Sequence, residues 1–427
     1  MDSAPEKISA FEKRLKRQVI GKPHRFLAVV PLGFEQTFVR EMQNSVTFHV
    51  VGDGKVEFTA KITEAWKAVA YSRIANRILM HIADFKAENF RDLEKKANEI
   101  PWELFLDDGG PARVDIHVTC KHSRLYHSDA VAERIGKILP APSTPQNLFV
   151  TLIDDRCTLW LDLAGEELYK RGHERFVNDA PLKETIAAAM LFEATRMALA
   201  PAQSGAITLI DPMAGSGTFS LEAAYLANDL IPGLCRDFAL KHQPAFKEAT
   251  WKFITSHEPP ASRLFKLDNI VTSDISEKAV EIIRHNVECS PLATVAPSGP
   301  APVLDPQVRD FFSYTAVEIA DAAPGPSQPI ILLNPPYGKR LDFDAPRLYM
   351  YIGRRLAELA RDLAPFNKAL TVAILAPKDD TRPGSRYTCT ANLLRECPAL
   401  DPGKNTEAKS IATSHGGFAL NTIIARI

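Results

Sequence analysis

Asn334, Pro335, Pro336 and Tyr337 form the segment whose residue types and order most clearly suggest chemistry. They follow an apolar run, residues 330–333, that is typical of a buried strand. The two prolines fix the backbone φ and leave carbonyl oxygens without a partner in the sheet. An exocyclic amine is a poor nucleophile because its lone pair is delocalised. The Asn334 oxygen and the Pro335 carbonyl could accept its two N–H groups while Tyr337 stacks on the ring, so that alignment rather than a strong base carries the rate.

A second segment, ITLIDPMAGSGTFSLEAA at residues 207–224, predicts a site for a nucleotide-like cofactor. An apolar strand leads into an acid and then into two glycines, which allow a tight turn and close approach of a ligand. Ser220 stands where a dinucleotide fingerprint would place its third glycine, and the P-loop pattern does not occur in the sequence. The residues predicted to contact the cofactor here are Asp211, Pro212, Ala214, Gly215, Ser216, Gly217 and Thr218.

The next two strand ends extend the same predicted site. Asp274, followed by Ile275, ends the run NIVTSD, and its carboxylate could accept hydrogen bonds from both hydroxyls of a ribose. Asp310 could accept from an adenine amino group while Phe311 flanks the ring. Each feature alone also suits an ordinary strand end, but together and in this order they predict transfer of a methyl group from S-adenosylmethionine to a nitrogen, with no metal.

Length and composition describe a globular protein of more than one domain. The chain has 427 residues, 45% apolar and 24% charged residues and a net charge of -1, so any contact with nucleic acid must come from local basic clusters. The six scattered cysteines predict reduced thiols. The first residues lack the apolar core of a signal peptide, and no stretch reaches the length of a membrane helix, which predicts a cytoplasmic protein.

Patterning divides the chain into a charged tail at residues 1–22, an α+β half at 23–165 and an α/β half at 166–427. In the first half, helical spacing is predicted to run through residues 63–85, with Ile74, Ile78 and Leu79 on its apolar stripe. In the second half, a helix is predicted to open near residues 179–181, with Asp179 as its cap, and short apolar strands then alternate with helices. This alternation predicts a parallel, doubly wound sheet.

The sequence resembles the bacterial THUMP-domain class I S-adenosylmethionine-dependent 23S rRNA guanine-N2-methyltransferases. The resemblance covers most of the chain from about residue 25 and is carried by SRLYHSDAVAERI, YKRGHERFVNDAPLKETIAAAML, DPMAGSGTFSLEAA, IPGLCRDFALKHQPAFKEATW and NPPYGKRL. It implies a ferredoxin-like and THUMP RNA-binding region followed by a Rossmann-like methyltransferase domain. Ala214 and His173 depart from the usual cysteine and tyrosine, and larger relatives are fused to a second methyltransferase where one is expected here.

The resemblance also implies an RNA partner, most simply large-subunit rRNA, held by basic side chains that bind phosphates. The target guanine must leave its stack to be modified. The candidate RNA contacts are Lys121, Arg124, Lys170, Arg171 and Arg175, with Lys339 and Arg340 beside the reactive segment.

Other functions remain open from the sequence. A THUMP-bearing tRNA guanine-N2 methyltransferase, or an adenine-N6 or glutamine-N5 enzyme, could use the same Asn-Pro-Pro-Tyr arrangement. A non-catalytic RNA-binding protein could retain the cofactor fold, and an NAD-dependent dehydrogenase is a distant further possibility. The modified nucleotide, the form of the RNA substrate and the oligomeric state are not indicated by the sequence.

Overall fold

A computed structural model describes residues 9–42, 46–177, 181–200, 205–256, 266–294, 304–337, 344–379 and 388–427. The chain forms two compact units, and each unit is built from three segments that are separate in the sequence. The first unit comprises Met1–Val30, Met42–Leu168 and Arg236–His257, and the second comprises Pro31–Glu41, Tyr169–Cys235 and Glu258–Ile427. The division into domains at residues 22 and 165 stays a prediction, because compactness assigns residues 31–41 and 236–257 across that division.

The first unit is built on a seven-stranded sheet in the order β2-β3-β1-β4-β7-β6-β5. Among the described strands of this unit, only β5 and β6 pair in parallel, and β6 and β7 form an antiparallel hairpin. Along β5 the residues are alternately half-buried and exposed, because successive side chains of a strand point to opposite faces of the sheet. The elements of this unit are α1 Ala10–Leu15, β1 His24–Val29, β2 Phe48–Gly52, β3 Lys55–Ala60, α3 Ile62–Tyr71, β4 Arg77–Lys86, α4 Phe90–Asn98, β5 Val114–Lys121, α5 Ser128–Gly136, β6 Gln146–Ile153, β7 Arg156–Asp162 and α8 Glu248–Thr255.

The long helix predicted through residues 63–85 is wrong in its second half. Helix α3 ends at Tyr71, and Ile78 and Leu79 lie in strand β4, between β1 and β7. Ser72 is extended, and its hydroxyl accepts hydrogen bonds from the backbone N–H groups of Ile74 and Ala75. This local bonding competes with the helix and turns the chain into the sheet.

The second unit is built on a mixed seven-stranded sheet in the order β10-β9-β8-β11-β12-β14-β13. The first five strands in this order are parallel, which confirms the predicted Rossmann-like arrangement, whereas β14 runs antiparallel to β12 and to β13. Strand β13, which the sequence analysis missed, pairs with β14 at one end of the strand order. The elements are α2 Glu35–Glu41, α6 Glu184–Leu199, β8 Ala206–Asp211, α7 Thr218–Ala227, β9 Lys266–Asp274, α9 Glu277–Glu288, β10 Gln307–Val308, α10 Ala316–Ala322, β11 Gln328–Leu333, α11 Ala345–Leu363, β12 Thr371–Pro377, α12 Cys389–Glu396, β13 Ala408–His415 and β14 Phe418–Arg426.

Helix α6 begins later than predicted. Its first residue is Glu184, and Lys183 stands at the N-cap without a side-chain capping bond. The predicted cap, Asp179, lies outside the described residues. The first turn of α6 therefore begins with an acidic residue.

A buried carboxylate joins three elements of the second unit. Glu193 of α6 is 1% exposed and accepts a hydrogen bond from the Thr37 hydroxyl at 2.7 Å. It also forms ion pairs with Arg40 of α2 and Lys409 of β13. Residues 31–41 are thus tied to elements that come far later in the chain.

Candidate functional site

The loop after β8 is a tight glycine turn at the carboxyl end of the sheet. Gly215 and Gly217 have φ values of +57° and +78°, which favour glycine. The Gly217 N–H donates to the Ala214 carbonyl at 2.7 Å, and the Ala214 N–H donates to the Ser273 carbonyl at 3.0 Å. A Cβ at Gly217 would lie 3.0 Å from the Ile283 side chain, whereas a Cβ at Gly215 would enter open space. Space for a ligand therefore lies over Gly215.

Asp211 ends β8 as predicted, but it faces inward. It is 0% exposed, and its Oδ2 accepts hydrogen bonds from the Ser220 hydroxyl at 2.8 Å and the Ser220 N–H at 3.2 Å. Burial raises the pKa of this carboxyl to about 7, with the nearby Asp274 charge adding to the effect. Asp211 therefore holds the first turn of α7, and any contribution to cofactor binding passes through the loop that it supports.

Asp274 links the end of β9 to the glycine loop. Its Oδ2 accepts the Gly215 N–H at 2.9 Å, and its Oδ1 accepts the Ser276 N–H at 2.9 Å. The side chain remains half-buried, and each carboxylate oxygen can accept a further hydrogen bond. Ile275 beside it is 70% exposed, an apolar surface next to a group that can bind hydroxyls.

The third strand end differs from the prediction at one residue. Asp310 is half-buried, and its Oδ1 accepts the Phe312 N–H at 3.0 Å. Phe311, predicted to flank a ligand ring, is 2% exposed and belongs to the same buried apolar cluster as Ile210 and Tyr314. Its ring is therefore part of the core and has little surface to offer a ligand.

The Asn-Pro-Pro-Tyr segment follows β11 and contains a buried acceptor. The Asn334 Oδ1 is buried and has no hydrogen-bond partner within the described parts of the chain. Pro335 is buried and Pro336 is exposed. An unpaired buried carbonyl costs roughly 1–3 kcal/mol, so this oxygen is stabilised when a ligand donates to it.

The Tyr337 side chain is held by the β13–β14 hairpin. Its hydroxyl lies 3.2 Å from His415 Nδ1, and its ring packs edge-on against Phe418 with centroids 5.9 Å apart. Burial lowers the pKa of His415, as does nearby Lys183. The sequence analysis missed His415 because it lies far along the chain, at the end of a strand that was itself missed.

The glycine loop and the Asn-Pro-Pro-Tyr segment leave the sheet side by side. Strands β8 and β11 are parallel neighbours, with Ile210 paired to Ile331. Neighbouring strands are about 4.8 Å apart, so Asp211 and Asn334 begin loops at adjacent points on one edge. Lys339 and Arg340, predicted beside this segment, lie outside the described residues.

Two of the five predicted RNA contacts are wrong. Arg171 is buried and forms a two-point ion pair with buried Glu222, at 2.9 and 3.1 Å. Arg175 is only 12% exposed and donates to Thr218 Oγ1 at 2.6 Å, in the glycine loop. Neither guanidinium is displayed for RNA phosphates.

The remaining three predicted contacts are exposed and stay predictions. Lys121 ends β5, and Lys170 lies before the glycine-loop region in the chain. The Arg124 side chain is 68% exposed and pairs with Glu88 and Asp155. A phosphate would have to compete with these carboxylates for Arg124.

Asn286 is a further residue of the site that the sequence analysis missed. Its Nδ2 donates to the Ser216 carbonyl at 3.1 Å and to the Phe176 carbonyl at 2.9 Å, and its Oδ1 accepts the Phe176 N–H at 2.8 Å. It continues the buried stripe of α9 formed by Ala279, Val280 and Ile283. The sequence does carry one signal of this role, since Asn286 is a polar residue at a position that helical spacing places on the buried face of α9.

Two kinds of site were searched for among the described residues. In those ranges, no group of three or more His, Cys, Asp or Glu side chains is placed to hold a metal ion. The helices described there are all too short or too polar to span a bilayer.

Comparison with known families matches both halves of the chain. Residues 25–79 match the RlmL ferredoxin-like domain, and residues 171–296 match the methyltransferase domain described as RMKL-like. The sequence is 31% identical to ribosomal RNA large subunit methyltransferase K/L of Allochromatium vinosum, over 71% of this chain and 42% of that protein. It is 26% identical to the putative RNA methyltransferase YpsC of Bacillus subtilis, over 75% of this chain and 80% of that protein. The chain spans about half the length of the K/L relatives that it matches.

Solved structures share the fold. The putative methyltransferase SMU.472, solved in complex with SAH, has a TM-score of 0.70 and 21% identity, covering 95% of this chain and 98% of that one. A possible methylase from Clostridium difficile 630 has a TM-score of 0.69 and 22% identity, with coverage of 95% and 98%. Residues 25–79 are thus similar to an RlmL ferredoxin-like domain and residues 171–296 to an RMKL-like methyltransferase domain, and the chain has the ferredoxin-like and Rossmann-like folds that these matches and the solved structures share.

Proposed function

We propose that this chain is an S-adenosylmethionine-dependent RNA methyltransferase that modifies the exocyclic N2 of a guanine in large-subunit rRNA. The observation that carries the proposal is the buried, unpartnered Asn334 Oδ1, within the described residues, on the strand next to the glycine loop. The relatives named as ribosomal RNA large subunit methyltransferases support RNA as the substrate.

The glycine loop after β8, together with Asp274 and Asp310, fits S-adenosylmethionine, which supplies an electrophilic methyl group when bound. The open space over Gly215 admits a ligand close to the backbone, and the half-buried Asp274 and Asp310 can accept hydrogen bonds from ribose and adenine. Exposed Ile275 offers an apolar surface for the adenine ring. The fold relative solved with SAH supports this choice of cofactor.

The Asn-Pro-Pro-Tyr segment after β11 fits an amine on a planar ring. The Asn334 oxygen and the Pro335 carbonyl accept the two N–H groups of guanine N2, and Tyr337 packs on the base. This draws the nitrogen out of conjugation and leaves its lone pair directed toward the methyl group. Asparagine is neutral and no strong base is required, because the proton leaves to solvent after the nitrogen has become cationic.

RNA is held in this proposal by the first unit. Its ferredoxin-like part is extended by a THUMP fold, and exposed Lys121 and Arg124 bind phosphates, as does Lys170 of the second unit. Such contacts fix the register of the RNA and make binding depend on salt. The target guanine is splayed from its stack, at a cost of a few kcal/mol that is lowest in loops.

The test is methylation of separate RNAs by the full chain with labelled S-adenosylmethionine. Large-subunit rRNA, small-subunit rRNA and tRNA are incubated separately, digested to nucleosides and analysed for the labelled product, with Asn334→Ala as the inactive control. N2-methylguanosine confined to large-subunit rRNA is expected. N6-methyladenosine would overturn the choice of guanine, and label in tRNA alone would overturn the choice of RNA. Cofactor binding without transfer to any RNA would contradict an enzyme.

A further inference from the structure

Arg175 lies at the glycine loop of the second unit. Its guanidinium donates to Thr218 Oγ1 at 2.6 Å and to Ser216 Oγ at 3.4 Å, and it forms an ion pair with Glu184. The arginine and glutamate side chains are each 12% exposed. The pair is therefore fixed beside the loop and largely shielded from solvent.

Two helices of the unit begin at this pair. Glu184 is the first residue of α6, and Thr218 is the first residue of α7. Helix N-termini carry partial positive charge and N–H groups without helical partners. A guanidinium placed at two such ends is electrostatically unfavourable. The carboxylate of Glu184 offsets only part of this charge, and Glu222, which also acts on Arg175, is itself paired with Arg171.

One donor of Arg175 is also unused. Its Nε is buried and has no hydrogen-bond partner among the residues that the structure describes. Burial lowers the pKa of this guanidinium, so its surroundings already penalise the positive charge. A second anion at this place would satisfy both the donor and the helix ends.

We propose that Arg175 and Glu184 form the subsite for the amino-acid end of the cofactor, an inference that rests on the proposed function. S-adenosylmethionine ends in an α-carboxylate and an α-ammonium, and the pair offers one charge of each sign. Arg175 binds the carboxylate together with the first turn of α7, and Glu184 binds the ammonium. Asp274 and Asp310 are left for the adenosine part.

This assignment also explains two hydroxyls of the loop. Ser216 and Thr218 are 6% and 4% exposed, so they are turned away from solvent and toward the guanidinium. They position Arg175, and through it they select ligands that carry an amino acid. The residues between the two glycines and after them thereby gain a role in specificity.

The test compares S-adenosylhomocysteine with 5′-methylthioadenosine, which lacks the amino-acid end. Calorimetry on the full wild-type chain is expected to give binding of S-adenosylhomocysteine at least about tenfold tighter. Arg175→Gln is expected to weaken S-adenosylhomocysteine binding about 10- to 100-fold and to change methylthioadenosine binding less than about threefold. Glu184→Gln is expected to show the same selectivity with a loss of about tenfold.

Arg354→Gln is the matched control, because Arg354 of α11 pairs with Glu396 and is about half exposed. It should leave both affinities unchanged. Equal losses for both ligands in Arg175→Gln would make Arg175 a support of the loop and overturn the inference, as would unchanged affinity for S-adenosylhomocysteine. If the variant does not fold, equal wild-type affinity for the two ligands overturns it. A wild-type chain that binds neither ligand contradicts the proposed function itself.

Discussion

The glycine loop after β8 and the Asn-Pro-Pro-Tyr segment after β11, on neighbouring strands, differ in which groups carry their buried unpaired atoms. At the glycine loop, backbone and side-chain groups bond to one another, as between Gly215 and Asp274 or between Ser216 and Asn286. Among the residues described there, the unpaired buried atoms, Asp211 Oδ1 and Arg175 Nε, belong to side chains whose other polar atoms already bond to the loop or to α7. In the Asn-Pro-Pro-Tyr segment, the Asn334 Oδ1 is buried and has no hydrogen-bond partner within the described residues. The glycine loop is held in place by its own hydrogen bonds, whereas the Asn-Pro-Pro-Tyr segment has a buried acceptor without a donor among the described residues. Under the proposed function, the amine that receives the methyl group supplies the donor that this oxygen lacks.

The largest expected effect separates two asparagines, Asn334 with a buried unpaired Oδ1 and Asn286 with a buried, fully bonded side chain. Asn334→Ala should lower kcat for RNA methylation by about 10²- to 10³-fold or more, because the aligned acceptor is lost. It should leave the affinity for S-adenosylhomocysteine and the free energy of unfolding nearly unchanged, since no bond among described groups is broken. Single-turnover rates, calorimetry and urea denaturation measure the three quantities.

Asn286→Ala is the matched control for that prediction, because its side chain is fully paired. It should destabilise the fold by roughly 1–3 kcal/mol and weaken cofactor binding. If Asn334→Ala were instead the variant that loses stability or cofactor affinity, the contrast between the glycine loop and the Asn-Pro-Pro-Tyr segment would be wrong.

A smaller effect should distinguish the two glycines of the loop. Gly217→Ala meets the Ile283 side chain and a φ of +78°, so it should lower the free energy of unfolding by about 1–3 kcal/mol. Gly215→Ala should be less destabilising but should weaken S-adenosylhomocysteine binding about tenfold, because its Cβ enters the space assigned to the ligand.

Urea denaturation and calorimetry of both glycine variants check this crossing pattern. Gly325→Ala supplies the control. That glycine has a φ of +54°, no atom lies within 4 Å of where its Cβ would be, and it stands in the loop before β11, whereas the glycine loop follows the carboxyl end of β8. It should cost stability through φ alone and leave ligand affinity unchanged. Identical behaviour of the Gly215 and Gly217 variants would remove the assignment of ligand space to Gly215.

The smallest expected effect tests whether His415 positions Tyr337. Tyr337→Phe and His415→Ala should each lower kcat/KM about 3- to 10-fold through loss of one hydrogen bond, and the double variant should be no worse than the poorer single variant. Tyr351→Phe, which removes a hydroxyl bonded to Arg347, is the control and should have no effect. Fully additive losses would show that the two side chains act independently.

The sheet edge was predictable because its signals are local. An apolar run ending in an acid, two glycines or a proline pair names both a strand and its end, and the positions after β8, β9 and β11 follow directly. Whether an aromatic residue at such an end faces a ligand or the core is decided by packing, and Phe311 belongs to the core. The sequence carries no local sign of that choice.

The charged residues were harder to assign, for a physical reason. Arg171 and Arg175 stand in a polar stretch that is typical of a surface, yet each is buried against a carboxylate. Glu222 is distant in sequence, and Glu184 follows only after the segment that joins the two halves. Pairing of this kind depends on tertiary contacts, as does the meeting of Tyr337 with His415.

The pairing of Glu193 has a consequence for how the second unit can be made. Besides Arg196 of the same helix, Glu193 is bonded to residues near the start and near the end of the unit, Thr37 and Arg40 on one side and Lys409 on the other. A fragment cut at residue 166 would keep a carboxylate in the interior while removing its early partners, which is costly for a buried charge. A second unit that begins at residue 166, the boundary predicted from patterning, is therefore expected to be less stable than one that also includes residues 31–41.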